Sequence, residues 1–155
     1  MRLTLHRATQ RADEVIGFPN GKGFDATLLS HWAKYSCVLS AGYIEESIRT
    51  IITDHIRSNA NHSIQNYVFS QVKDFTNAKP EKIARLLNSF NEDWYRKFCD
   101  HDRSEKIRVS VGSIIANRHL IAHGRDTSIT HGKISEWHNE AKKMIGFFDD
   151  IVPGK

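Results

Sequence analysis

Residues 25–58 run DATLLSHWAKYSCVLSAGYIEESIRTIITDHIRS. Leu28, Trp32, Tyr35, Leu39 and Tyr43 recur at spacings of three and four, the period of one face of a helix. The stripe then steps over by one residue and continues through Ile44, Ile48 and Ile51. Asp25 has the chemistry of an N-cap, since its carboxylate can accept an orphan backbone N–H of the first turn. A single long helix is therefore expected from Ala26 to about Ser58, with that stripe as its inner face. Gly42 lowers the propensity without breaking the stripe, and it would permit a close helix contact.

Working outward, the punctuation continues to separate helical segments. Residues 17–23, GFPNGKG, form the clearest loop. The segment before it, about residues 1–16, reads as a short helix. Residues 58–61 mark a turn, and a helix of about Ser63–Phe75 follows, with Ile64, Val68 and Val72 on one face. Pro80 suits a first helical turn. Short helices are expected over Glu81–Phe90 and Glu92–Phe98, then a charged connector at His101-Asp102-Arg103. A long helix over Ser104–His123 is closed by Gly124 as a left-handed cap. The last helix spans His131 to Ile151, with Ile134, Trp137, Ala141, Ile145 and Phe148 facing inward. No period-two strand stands out. The reading is an all-α bundle of five to seven helices. It forms one domain overall, with residues 1–23 as an N-terminal segment and loop and residues 24–152 as the helical unit.

Composition narrows the function. The chain has 155 residues, 39% hydrophobic and 26% charged, which suits a globular domain and excludes wholesale disorder. No run approaches the ~20 apolar residues of a membrane helix, and the first residues lack the apolar core of a secretory signal. Two cysteines, Cys37 and Cys99, make no disulfide framework, so a cytoplasmic setting is expected. Lys and Arg number 22 against 18 Asp and Glu, a net charge of +4 that is compatible with a polyanionic partner. No phosphate-binding Walker loop, nucleophile elbow or dinucleotide fingerprint occurs, so no cofactor is implied.

Five of the nine histidines lie from residue 101 onward, which directs the search for chemistry to the C-terminal third. Residues 115–124 read IANRHLIAHG. At about 100° per residue, Ile107, Val111, Ile114 and Ile121 share a core stripe, and Arg118 falls about 20° from Ile107 on that stripe. An arginine there requires a partner: an acid, a phosphate or a subunit interface. Glu45 and Glu46 on the long helix are the structural candidates. Val109, Gly112, Ala116, Leu120 and His123 gather on the opposite face, where the small residues would admit another helix. A helix apolar on two sides lies deep in a bundle or against a partner subunit. Arg118 and His123, five apart, stand about 140° from one another, so a fraying end or a second copy is needed to unite them. His119 and His123, four apart, have a metal-ligand spacing, but Leu120 stands where a zinc protease would carry its glutamate. Lys106, Arg108 and Arg125 would form a basic rim or a solvated face. Trp32, Tyr43 and Trp94 read as core, and His131 and His138 as surface or satisfied histidines.

The segment RHLIAHG (118–124) resembles the Arg-x4-His signature of HEPN domains, and the wider chain is similar to their RiboL-PSP branch. The likeness includes HWAKYSCVL (31–39), GYIE (42–45), NAKPEKI (77–83), FNEDW (90–94), ANRHLIAHG (116–124) and SIT (128–130), within roughly residues 25–150. His119 stands where asparagine is commonest in that branch. The resemblance implies an all-α bundle that commonly dimerises, with Arg and His of both chains meeting in a cleft at the interface. It implies a metal-independent endoribonuclease, often a toxin or part of an anti-phage system, or else a non-catalytic module that binds RNA or protein. RNA, a second copy of the chain, and an antitoxin or nucleotidyltransferase-type protein are the partners implied. Catalytic roles fall on Arg118 and His123, and supporting or RNA-binding roles on His119, Glu45, Asn117 and Arg125, with no metal. The chemistry suits the residues: histidine, with an ordinary pKa near about 6.5, can move protons, and arginine can hold phosphorane charge. Glu45 is expected to fix Arg118.

Overall fold

A computed structural model describes residues 2–101 and 105–154 of the chain. Among these residues it contains seven helices and no strand. They are α1 (Leu3–Gly17), α2 (Ala26–Asn59), α3 (His62–Val72), α4 (Pro80–Phe90), α5 (Glu92–His101), α6 (Glu105–Ala122) and α7 (His131–Ile151). The fold is the expected all-α bundle. Asp102 and Arg103 of the connector, and the expected helix start at Ser104, lie outside the described residues.

Local chemistry sets the boundaries. The Leu28 N–H donates to Asp25 Oδ1 at 2.8 Å, so α2 begins on the expected cap. The Ile64 N–H donates to Asn61 in the same way, and α3 begins at His62 and stops at Val72, short of Phe75. Pro80 occupies the first turn of α4. At the end of α6, Gly124 takes a φ of 64°, the Arg125 N–H donates to the Leu120 carbonyl, and the Gly124 N–H donates to the Ile121 carbonyl. This Schellman arrangement satisfies the last carbonyls of the helix and turns the chain sharply.

The helix α2 is the axis of the bundle and packs against α1, α3, α6 and α7. Its inner face differs from the expected one. Ile44, Ile48 and Ile51 are fully buried, but in the N-terminal half the buried residues are small: Ala33, Ser36, Cys37, Ser40 and Ala41. Leu28, at 43% exposed, and Tyr35, at 51%, face outward. The reason is packing distance: small side chains let α2 lie close to α6 and α7, and the large ones are turned away. The Cys37 Sγ reaches the Ile114 carbonyl of α6 at 3.4 Å, and burial pushes its thiol up to about 12. Gly42 serves no close contact, because a Cβ built there would meet nothing within 4 Å. Ile64 is also exposed, while Val68 and Val72 reach the core.

The N-terminal segment is integral to this core. Leu5 and Ala12 of α1 join the same cluster as Ile44, Ile114 and Phe148. Arg2 bonds Asp149 and the Val152 carbonyl, clasping the two ends of the chain together. No helix among the described residues is long and apolar enough to cross a membrane.

Candidate functional site

Arg118 is half-buried on α6 and makes no hydrogen bond or ion pair among the described residues. The expected salt bridge to Glu45 or Glu46 is not formed. Glu46 pairs with Arg49 at 2.7 Å on its own helix. Glu45, only 6% exposed, accepts the backbone N–H of Asn77 at 2.7 Å. The competing need explains this. Asn77 has a φ of 52°, in the left-handed region, and its part-buried N–H requires an acceptor. Glu45 therefore shapes the turn into α4 and leaves Arg118 without a counter-charge.

His123 is exposed at the C-cap of α6, and its ring meets that of His119 edge-on at 4.4 Å between centroids. No hydrogen bond joins Arg118 to His123, as their helical separation implies. The two histidines share a face, and among the described residues no group of three or more His, Cys, Asp or Glu is placed to hold a metal ion. Asn117 is a tether: its amide nitrogen donates to the Ser113 carbonyl at 2.9 Å, and its oxygen accepts from Thr127 Oγ1. That ties the loop after α6 back onto the helix. Arg125 leads that loop with an exposed side chain, and Asp126 lies 3.6 Å from Lys34 of α2.

The expected basic rim does not assemble. Lys106 is neutralised by Glu136 at 3.3 Å and Glu140 at 3.6 Å, and Arg108 by Glu81 at 3.0 Å. The positive charge lies elsewhere. A cleft of about 790 Å³ opens between α6 and the start of α4, with Lys79, Lys82 and Arg85 on one wall and His119 on the other. Ala116 and Leu120 supply its apolar surface, with Ile115 buried beneath them. Sequence reading missed the three cations, although Lys79, Lys82 and Arg85 recur at spacing three, which makes each the neighbour of the next along a helix surface.

A second arrangement invites a catalytic reading and does not sustain it. Ser40 Oγ lies 3.1 Å from His138 Nδ1, and Asp13 lies 3.5 Å from His138 Nε2. Ser40 is fully buried and His138 is 1% exposed, so no substrate reaches them. Burial, the largest cause, lowers the His138 pKa to about 4; Lys142 lowers it further, while Asp13 opposes the shift. His131 is likewise satisfied, with Nε2 2.7 Å from the Ile16 carbonyl.

No curated protein and no solved structure matches the chain. The family model described as RiboL-PSP-HEPN matches residues 7–153, which takes in α6 with its Arg118–His123 motif and both walls of the cleft. The chain belongs to the RiboL-PSP-HEPN family.

Proposed function

We propose that this protein is a metal-independent endoribonuclease whose site is completed by a second copy of the chain. The observation that carries the reading is the unpaired Arg118: a half-buried guanidinium with no acidic partner among the described residues is poised for an external anion. A bridging phosphate of RNA supplies that anion. In the proposed reaction His123 removes the proton of a ribose 2′-OH, and the oxygen attacks the adjacent phosphorus. The bond from phosphorus to the 5′-oxygen breaks, and the partner's His123 protonates the leaving oxygen. The products are a 2′,3′-cyclic phosphate and a 5′-hydroxyl. Arg118 stabilises the charge that builds on the non-bridging oxygens. His119 orients the His123 ring it touches, Asn117 holds the loop beyond α6, and Arg125 meets RNA flanking the cut.

A second copy fits the surface of α6. Val109 is 56% exposed, and a Cβ built at Gly112 would meet nothing within 4 Å. On α2, Tyr35 and Val38 are exposed as well. These faces are apolar without being covered by the chain itself, which supports a homodimer. A toxin or anti-phage role in the cytoplasm, held in check by an antitoxin or nucleotidyltransferase-type protein, follows from the family reading.

The test is cleavage of total RNA in EDTA by the wild-type protein, Arg118→Ala and His123→Ala, with product ends analysed for the cyclic phosphate. The expected loss in each variant is about 10²-fold or more. Because Arg118 has no partner within the chain, Arg118→Ala is expected to change unfolding free energy by less than about 1 kcal/mol. Cleavage by both variants at the wild-type rate rejects the assignment. Folded dimers that bind RNA and leave it intact would make the protein a binding module instead.

A further inference from the structure

We infer that the cleft between α6 and the first half of α4 seats single-stranded RNA beside the bond to be cut. Backbone phosphates lie on Lys79 and Arg85, and an unstacked base rests on Ala116 and Leu120. This rests on the endoribonuclease reading and deepens it, because it gives the substrate its strandedness and its path.

Four observations converge on the cleft. Its volume of about 790 Å³ lies in the range that encloses a small organic ligand, ~300–1,000 Å³, which accommodates a nucleotide. Its charge is unbalanced. Lys79 and Arg85 make no ion pair among the described residues, while Glu81, the acid in the lining, is bonded by Arg108 at 3.0 Å and feels Lys79 only at longer range. The floor is apolar, which matches the face of an unpaired base between charged walls. A protein side chain from another copy would cover the floor and leave two cations desolvated without partners. Finally, the cleft is continuous with the catalytic motif, since His119 lines it and touches His123, with ring centroids 4.4 Å apart. Its far wall is held in place from below. Glu45 binds the Asn77 N–H at 2.7 Å, Arg49 binds the Phe75 carbonyl at 2.8 Å, and Lys82 binds the Thr76 carbonyl.

The experiment measures binding without cleavage. A fluorescein-labelled single-stranded 12-mer RNA with 2′-fluoro riboses lacks the attacking hydroxyl, so it cannot be cut by the proposed reaction. Its affinity for the full chain is read by anisotropy across a salt series, beside the same sequence as a duplex. The proteins are wild type, Lys79→Ala/Arg85→Ala, and Arg7→Ala/Arg11→Ala, which removes equal charge from exposed positions on α1. The expected result is a loss of at least about tenfold for the cleft variant on the single strand. Its slope of log affinity against log salt becomes shallower by about 1.4, two phosphate contacts' worth. The α1 variant stays within about twofold of wild type, and the duplex binds more weakly than the single strand. Equal losses in the two variants, or tighter binding of the duplex, would overturn the inference. A cleft variant that keeps its RNA affinity but sediments as a monomer overturns it too, and assigns the cleft to a second copy. The two readings fail separately. Loss of binding in the cleft variant of a protein that cuts no RNA leaves the cleft as a seat for single-stranded RNA and removes the nuclease, and with it the bond to be cut. Unchanged binding in a protein that cuts RNA does the reverse.

Discussion

Arg118 and His138 meet burial in opposite ways. Arg118 lies half-buried and unpaired among the described residues, on the surface of α6. His138 lies in the core against Ser40 and Tyr43, where burial holds its pKa at about 4. The consequence for stability is directional. Above pH ~6.5 the histidine is neutral in both folded and unfolded chains, and its contribution is fully present. As pH falls below that value, the unfolded chain takes up the proton while the folded chain resists until about pH 4. Stability is therefore lost across that window, by about 3 kcal/mol from this group. Asp13 at 3.5 Å and Lys142, which itself pairs with Asp13 at 2.6 Å, face the ring. Urea denaturation at pH 7 and pH 4.5 should show this acid loss in the wild type and a much smaller one in His138→Gln. Equal losses in the two proteins would mean that other groups carry the acid sensitivity.

At the scale of elements, the turn into α4 is the critical junction. Two of its backbone features are unusual: the positive φ of Asn77 and a helix start with no side-chain cap from Lys79. Asparagine tolerates the left-handed region better than most residues, and the buried Glu45 supplies the acceptor that the turn needs. Glu45→Ala leaves the Asn77 N–H without its partner and should cost about 1–3 kcal/mol. Glu45→Gln keeps an acceptor oxygen and should cost less. Denaturation midpoints of the two variants provide the measurement. Indistinguishable, near-zero losses would show that the Glu45 bond does not hold the turn. The other sharp junction, at Gly124, fixes where α6 ends and so where His123 stands.

At the scale of the molecule, the exposed apolar faces of α2 and α6 have to be reconciled with a protein in water. Tyr35 and Val109 contribute large exposed apolar surface, so burying them against a second copy is favourable. Tyr35→Glu together with Val109→Glu should leave the helical content unchanged, since neither side chain supports the core. The double variant is expected to sediment as a monomer and to lose RNA cleavage by at least about 100-fold, in keeping with a site built from two chains. A monomeric variant that cuts RNA at the wild-type rate would remove the composite site and leave a site within one chain.

Much of this architecture is written locally. Asp25 as a cap, Pro80 at a first turn, Gly124 as a left-handed end and the spacing of Ile44, Ile48 and Ile51 are all read from a few adjacent residues, because capping and helical period are short-range effects. Arg118 and His123 are legible in the same way, as a motif on one helix. The destinations of side chains were not. Periodicity finds the apolar stripe Leu28–Trp32–Tyr35 but cannot say whether its own chain covers it. The close approach of α2 to α6 and α7 fell to Ala33, Ser36, Cys37, Ser40 and Ala41 instead. Glu45 had two claimants, Arg118 and the Asn77 N–H, and only the path of the chain between α3 and α4 placed the second within reach. The same path brings Lys79, Lys82 and Arg85 opposite His119 across a gap of more than thirty residues in sequence. The sequence by itself therefore determined the helices, most of their ends and the Arg118–His123 motif, because these depend on neighbours along the chain. Which charges remain unpaired, and where they face a cavity, was decided by tertiary packing, because that depends on which distant groups compete for the same partner.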